Sequence, residues 1–222
     1  MSKRFFYRSR TRKHGQSFVE LALVLLILAL MLAGVVEFGY LLNSYLKVQD
    51  GAREGARFMN SSVAFDNTTG VSYEDFYTKT AIETMRVMSP VVLNDKGYRG
   101  DDIIISVFSV AGSSIVRWPD GYVNGWSLCD HNSEPIFQVD LDLDTDNWSS
   151  CTPRLSHFTT DQILALSGVA PASGILLVEV YYNYPQILKL PVFEQVIPDP
   201  ILVYTYSVMP LSSAEPTATP SH

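Results

Sequence analysis

Four aspartates at alternating positions, Asp140, Asp142, Asp144 and Asp146, with Asn147 next, form the one constellation in this 222-residue chain whose residue types suit a metal ion. Calcium takes several carboxylate and carbonyl oxygens at once. An extended strand spaces alternate carboxylates about 7 Å apart, too far for all four to grip one ion. The glycine and distal glutamate of an EF-hand loop are also missing. The expectation is a solvated acidic face and no cofactor; calcium would require a turn near residues 144–147 that folds the oxygens together. Of the histidines, His14 lies in a basic N-terminal stretch and His222 ends the sequence. His131 and His157 fall in loop-like sequence and read as ordinary polar residues. No P-loop, G-x-S-x-G, H-E-x-x-H or glycine-rich dinucleotide turn occurs, so nothing supports catalysis and the chain reads as a non-enzyme. Trp118, Trp126 and Trp148, with Tyr181, Tyr182 and Tyr184, offer either a glycan- or partner-binding surface or a core. Aromatic residues in strands more often form core.

The element that must place all of these is a long apolar helix. Residues 21–36 carry no charge and no strongly polar side chain, bounded by Glu20 and Glu37. From Phe18 to Leu42 a helix covers about 37 Å, enough to cross a hydrocarbon core about 30 Å thick. A cleavable secretory signal has a shorter apolar region ending at a small-x-small site. Residues 1–15 hold Lys3, Arg4, Arg8, Arg10, Arg12 and Lys13 and no acid. The positive-inside rule therefore keeps this end cytoplasmic and sends the C-terminal bulk across a single-pass span.

Net charge points the same way. The whole chain is at −7, and without the six basic residues of the leader ten basic residues face 23 acidic ones, a formal −13. No basic stripe remains to neutralise phosphates, which argues against nucleic acid.

Gly15-Gln16-Ser17-Phe18-Val19-Glu20 closes the basic leader with a glycine and puts an acid five residues on, one turn into the apolar helix. This resembles a type IV prepilin cleavage site, with the cut between Gly15 and Gln16. An acid at that depth is costly alone and is biased to pair with a positive group. In pilin-like assemblies that partner is the terminal amine of a neighbouring subunit. Adding Val36-Glu37-Phe38-Gly39 and Ala52-Arg53-Glu54-Gly55-Ala56-Arg57-Phe58, the stretch 16–58 resembles the TadE-like domain of tight-adherence (Tad) pilus systems, whose members are minor pseudopilins. Leu25 stands where many relatives carry a kinking proline, which implies a straighter helix. Leu21 stands where major pilins favour tyrosine, which implies a minor component. The resemblance implies other pilins, a prepilin peptidase and an inner-membrane assembly platform as partners beside membrane lipid. It assigns Glu20 and Glu37 to assembly.

Beyond the span, Gly51, Ala52, Gly55 and Ala56 recur at four-residue spacing, a seam of small residues that lets helices approach closely. It serves neighbouring subunits, the protein's own sheet, or neither. Residues 59–72 read as a linker. Ser72 is placed to cap a second helix that Ser89-Pro90 stops. Strands are expected over 103–110, 115–118, 136–143, 175–184 and 201–209, and a short helix over 160–166. Cys129 and Cys151 enclose 21 residues and lie outside the membrane by the topology above. In an oxidising exterior they are expected to form a disulfide worth roughly 3 kcal/mol. Residues 212–222 read as a disordered polar tail.

The expected architecture is α+β and pilin-like: a leader (1–15), a transmembrane and extended N-terminal helix (16–58), and an extracytoplasmic domain with a mostly antiparallel sheet (73–211). The function implied is that of a minor pseudopilin in the assembly, initiation or decoration of a Tad-type, type IVb-like pilus or related secretion machinery. It would sit in the cytoplasmic membrane and, after processing, either enter an extracellular pilus or stay at its base. The alternative is a permanently tethered extracytoplasmic binding module that uses the span as an anchor only.

Overall fold

The structure is a computed structural model that describes residues 14–66, 69, 71–93, 100–119, 124–131, 152–167, 172–189 and 197–216. The chain divides into two units, Met1–Tyr40 and Leu41–His222. Helix α1, His14–Met59, runs through the boundary. No proline interrupts it, and within the first unit it is almost wholly apolar.

In the second unit α1 is amphipathic. Val48, Ala52, Ala56 and Met59 are buried at helical spacing, while Arg53 and Arg57 stay exposed. Helix α2, Glu74–Met88, starts after Tyr73 with no side-chain cap, which corrects the assignment of Ser72 as the capping residue. Glu74 and Asp75 in its first turn and Arg86 in its last suit the helix dipole. Its buried face is partly hydroxylic. Thr80 Oγ1 donates to Phe76 O (2.7 Å) and Thr84 Oγ1 to Thr80 O (2.8 Å), so neither hydroxyl is stranded. Ser89, extended before Pro90, ends the helix.

The sheet is antiparallel throughout. Strands β1 (Asp102–Ala111), β2 (Ser114–Trp118), β3 (Trp126–Ser127), β4 (Ala172–Tyr184) and β5 (Ile201–Pro210) are ordered β2-β1-β4-β5, with β3 also on β1. A two-residue turn joins β1 to β2, with Gly112 in the left-handed region at φ 60°. β1 is buried along nearly its whole length because it has strand partners on both edges and a hydrophobic core on each face. Two short helices complete the unit, α3 (Leu128–His131) and α4 (Thr160–Ser167).

The alternation of strand residues sorts the sheet into two faces. Ile103, Ile105, Val107, Leu176, Val178, Val180 and Val203 join the C-terminal half of α1 and α2 in the main core. Phe108 and Leu177 form a smaller core on the other face with Ile163 of α4, with Phe158 packed against it. The expected α+β class with an antiparallel sheet is observed.

Two segments carry more structure than the sequence reading gives them. Among the described residues of 59–72, read as a linker, Ala64 and Phe65 are buried, Phe65 bridges Ser72, and Phe65 stacks on Trp118 at 4.5 Å. Residues 212–214, assigned to the tail, form a 3₁₀ turn in which Ala214 is buried and Ser213 Oγ donates to Ser62 O (2.6 Å). The strand expected over 136–143 lies outside the described residues.

Candidate functional site

Two features have geometry that speaks to function: the apolar half of α1, and the framework that carries it into the folded unit. In the first unit every side chain at 17–29 is exposed, an apolar surface with nothing of its own unit to cover it. The described helix from Ser17 is long and apolar enough to cross a membrane. Glu20 is exposed on this helix and Glu37 partly exposed, 17 residues or about 26 Å further along the axis. Gly15 and Gln16 are helical in backbone. The leader residues 1–13 lie outside the described residues.

The seam of small residues has a definite partner, and it is internal. A Cβ on Gly51 would stand 2.3 Å from Met88 Cγ and 2.8 Å from Thr84 O; one on Gly55 would stand 2.0 Å from Thr84 Oγ1 and 3.0 Å from Thr80 O. All but the last of those separations are shorter than real Cβ contacts, so glycine is what lets α2 lie directly on α1. Ala52 and Ala56 are fully buried in the main core. Within this chain the stripe is therefore occupied by α2, and by the core beneath it.

Two buried carboxylates, which sequence reading did not single out, tie the outer segments to the sheet. Asp102 at the start of β1 accepts from Ser127 Oγ (2.9 Å), Cys129 N (3.2 Å) and Arg154 N (2.8 Å). Burial nonetheless pushes its carboxyl up to about 7, the donors only moderating the cost of desolvation. Cys129 is buried within this network and Arg154 lies three residues beyond Cys151. Cys151 itself is outside the described residues.

Glu179, fully buried in β4, accepts from Ser156 Oγ (2.5 Å), His157 N (2.8 Å) and Tyr204 OH (2.8 Å). Burial first, and then the neighbouring Glu179 charge, raise the Tyr204 hydroxyl well above its ordinary range. Arg117 Nη2 donates to Ser106 Oγ (2.7 Å) and Asn124 O (2.8 Å), with its guanidinium over the Phe108 ring. Desolvation lowers its pKa, while the Glu179 charge opposes that shift. A signal for Glu179 was available: it is the single acid inside the apolar strand 175–180. Asp102 carried no such mark, because it heads its strand beside Asp101.

Other expected site residues sort as follows. Trp126 is fully buried and Tyr181, Tyr182 and Tyr184 nearly so, which overturns a recognition surface built on them. Trp126 stacks on His131 at 4.8 Å and on Tyr77 at 6.3 Å, and its Nε1 donates to Glu74 Oε1. His157 lies against the Tyr204 ring. Both histidines have structural surroundings. Trp148 and the calcium candidates Asp140, Asp142, Asp144 and Asp146 lie outside the described residues. Among the described residues no group of His, Cys, Asp and Glu is placed to hold a metal ion.

Residues 15–57 match the family model described as TadE-like protein. No curated protein and no solved structure matches the chain. The matched segment coincides with α1, from its second residue to two residues before its end.

Proposed function

With α1 matched along nearly its whole length to the TadE-like family, we propose that this chain is a minor pseudopilin of a Tad-type pilus. The observation that carries the reading is that match on a helix whose first half is exposed and apolar and whose second half is built into a folded unit. The basic leader would hold the N-terminus in the cytoplasm, and a prepilin peptidase would cut between Gly15 and Gln16. The span would then pack with other pilin-like helices, Glu20 offsetting a neighbour's terminal amine. Glu37, at the far boundary of the apolar run, would meet the assembly at the outer interface. The second unit would be the part presented outside, serving a structural and not a catalytic role. A Cys129–Cys151 disulfide fits this placement, since the two chain segments flanking it, at Cys129 N and Arg154 N, both donate to Asp102.

Processing is the discriminating measurement. Intact mass and N-terminal sequence of the membrane-extracted protein should show a chain beginning at Gln16, and a Gly15→Leu variant should stay longer by the 15-residue leader. Normal maturation of that variant, or a wild-type chain that keeps its leader beside an active peptidase, would leave only a tethered module. Of the two, the tether is also weakened by burial of Trp126, Tyr181, Tyr182 and Tyr184, four of the aromatic residues offered for ligand recognition.

A further inference from the structure

We infer that the open edge of β5 is a dimerisation strand: it pairs antiparallel with β5 of a second copy of this chain across a two-fold axis, joining the two sheets into one. The inference concerns the folded unit alone and does not depend on how the leader is processed. In the order β2-β1-β4-β5, β5 is an end strand, and among the described residues no strand pairs with its second edge. Its first edge holds β4 through ten consecutive pairs, from Tyr184–Ile201 to Ile175–Pro210, without a bulge. Alternate residues of β5 therefore turn their N–H and C=O groups away from β4. The result is a row of donors and acceptors about 33 Å long that matches another extended backbone group for group.

The two ends of the sheet are built differently. β2, at the other end, is five residues long, contains Arg117 and stops at Pro119. Short length, charge and proline are the devices by which edge strands avoid pairing with other chains. β5 has none of them before its last residue, since Ile201–Met209 holds no charge, no proline and no glycine. Val203, Thr205 and Ser207 are buried on the face toward the main core, while Leu202, Tyr206 and Val208 on the other face are 49%, 48% and 39% exposed. This outer face is held in place: Tyr204 OH donates to the buried Glu179, and the Tyr206 ring meets Phe158 edge-on at 4.8 Å. A pre-formed edge loses little conformational freedom on pairing.

Charge selects the second copy as the occupant. Across a two-fold axis a strand meets its own sequence reversed, so a charge near its middle faces its like at short range, which is destabilising. β5 is free of such a charge. The register follows from parity and from Pro210. Opposite residues of an antiparallel pair point to the same face, so the axis lies beside a residue and not between two. Centred on Thr205, the pairing uses Ile201–Met209 and leaves out Pro210, which has no N–H to give. It sets Leu202 against Val208 of the second copy and Tyr204 against Tyr206 of the second copy. Every exposed apolar side chain of the edge thereby gains an apolar neighbour.

The test uses the full chain in detergent micelles, with association read by light scattering corrected for bound detergent. The unsubstituted protein should be dimeric. Val208→Lys should weaken dimerisation about tenfold or more with tryptophan emission unchanged, and Leu202→Glu combined with Val208→Lys should restore it. Positions 202 and 208 lie about 20 Å apart along one strand, so only a second copy brings the opposite charges together. Hydrogen exchange over 201–210 in the unsubstituted protein reads the same contact without a variant, since protection of the outward amides should fall as the dimer is diluted. A protein that stays monomeric overturns the inference, and full protection of β5 in that monomer assigns the edge to a segment of the same chain. A dimer that Val208→Lys leaves intact, with exchange at 201–210 indifferent to dilution, is held by the span and overturns it as well. Loss of the dimer that the double variant fails to restore overturns the pairing centred on Thr205.

Discussion

Asp102 shows what one ionisable group does when it holds three segments together. Its carboxyl collects donors from β3, α3 and the irregular segment at Arg154, yet burial outweighs them and its pKa rises from 3.8 to about 7. The folded state therefore keeps a proton that the unfolded chain has already lost. Its contribution to stability is complete below pH about 3.8 and is lost as pH rises through about 7. Denaturation midpoints measured across that window should fall with pH in the native protein, and Asp102→Asn should flatten the slope. An unchanged slope in the variant would mean that another group titrates there.

The α1–α2 pair is where helix propensity and packing disagree most sharply. Replacing a helical glycine with alanine ordinarily stabilises by roughly 0.5–1 kcal/mol. At Gly55 the added Cβ would lie 2.0 Å from Thr84 Oγ1 and 3.0 Å from the Thr80 carbonyl, so helix separation must increase. Overpacking of this kind costs typically about 1–3 kcal/mol, and packing wins. Gly55→Ala should lower the unfolding free energy by about 1–2 kcal/mol net. Adding Thr84→Ala should return part of that loss, since the nearest obstructing atom is then gone. Guanidine unfolding in detergent, followed by tryptophan emission, reads both, because Trp118 and Trp126 lie in or against the core.

At the scale of the molecule, the apolar half of α1 and the folded unit carry separate burdens. Glu20→Ala removes the acid from the start of the span without shortening the apolar run, so membrane insertion should be unchanged in carbonate extraction. Under the proposed pseudopilin role, pilus assembly should drop severalfold, because the terminal amine of a neighbour loses its counter-charge. Normal pili from this variant would remove the pairing role and leave the span as an anchor. The folded unit should be indifferent to the change, since Glu20 lies outside it.

The sequence alone determined the long helix, the strands that became β1, β2, β4 and β5 and the short helix at 160–167, because each is written in local terms. An uninterrupted apolar run, a period of two, or a glycine in a turn acts over a few residues. It also determined the TadE-like character of residues 15–57, where the motif is contiguous. Tertiary structure decided what the small-residue stripe packs against, since Gly55 and Thr84 are distant in sequence and a four-residue spacing suits any close helix. It decided that the tyrosines at 181, 182 and 184 are interior, and that Asp102 and Glu179 are hubs. Their partners come from 52 and 23 residues away, at Arg154 and Ser156. Burial and long-range donors exist only once the sheet has closed, and no local pattern encodes them.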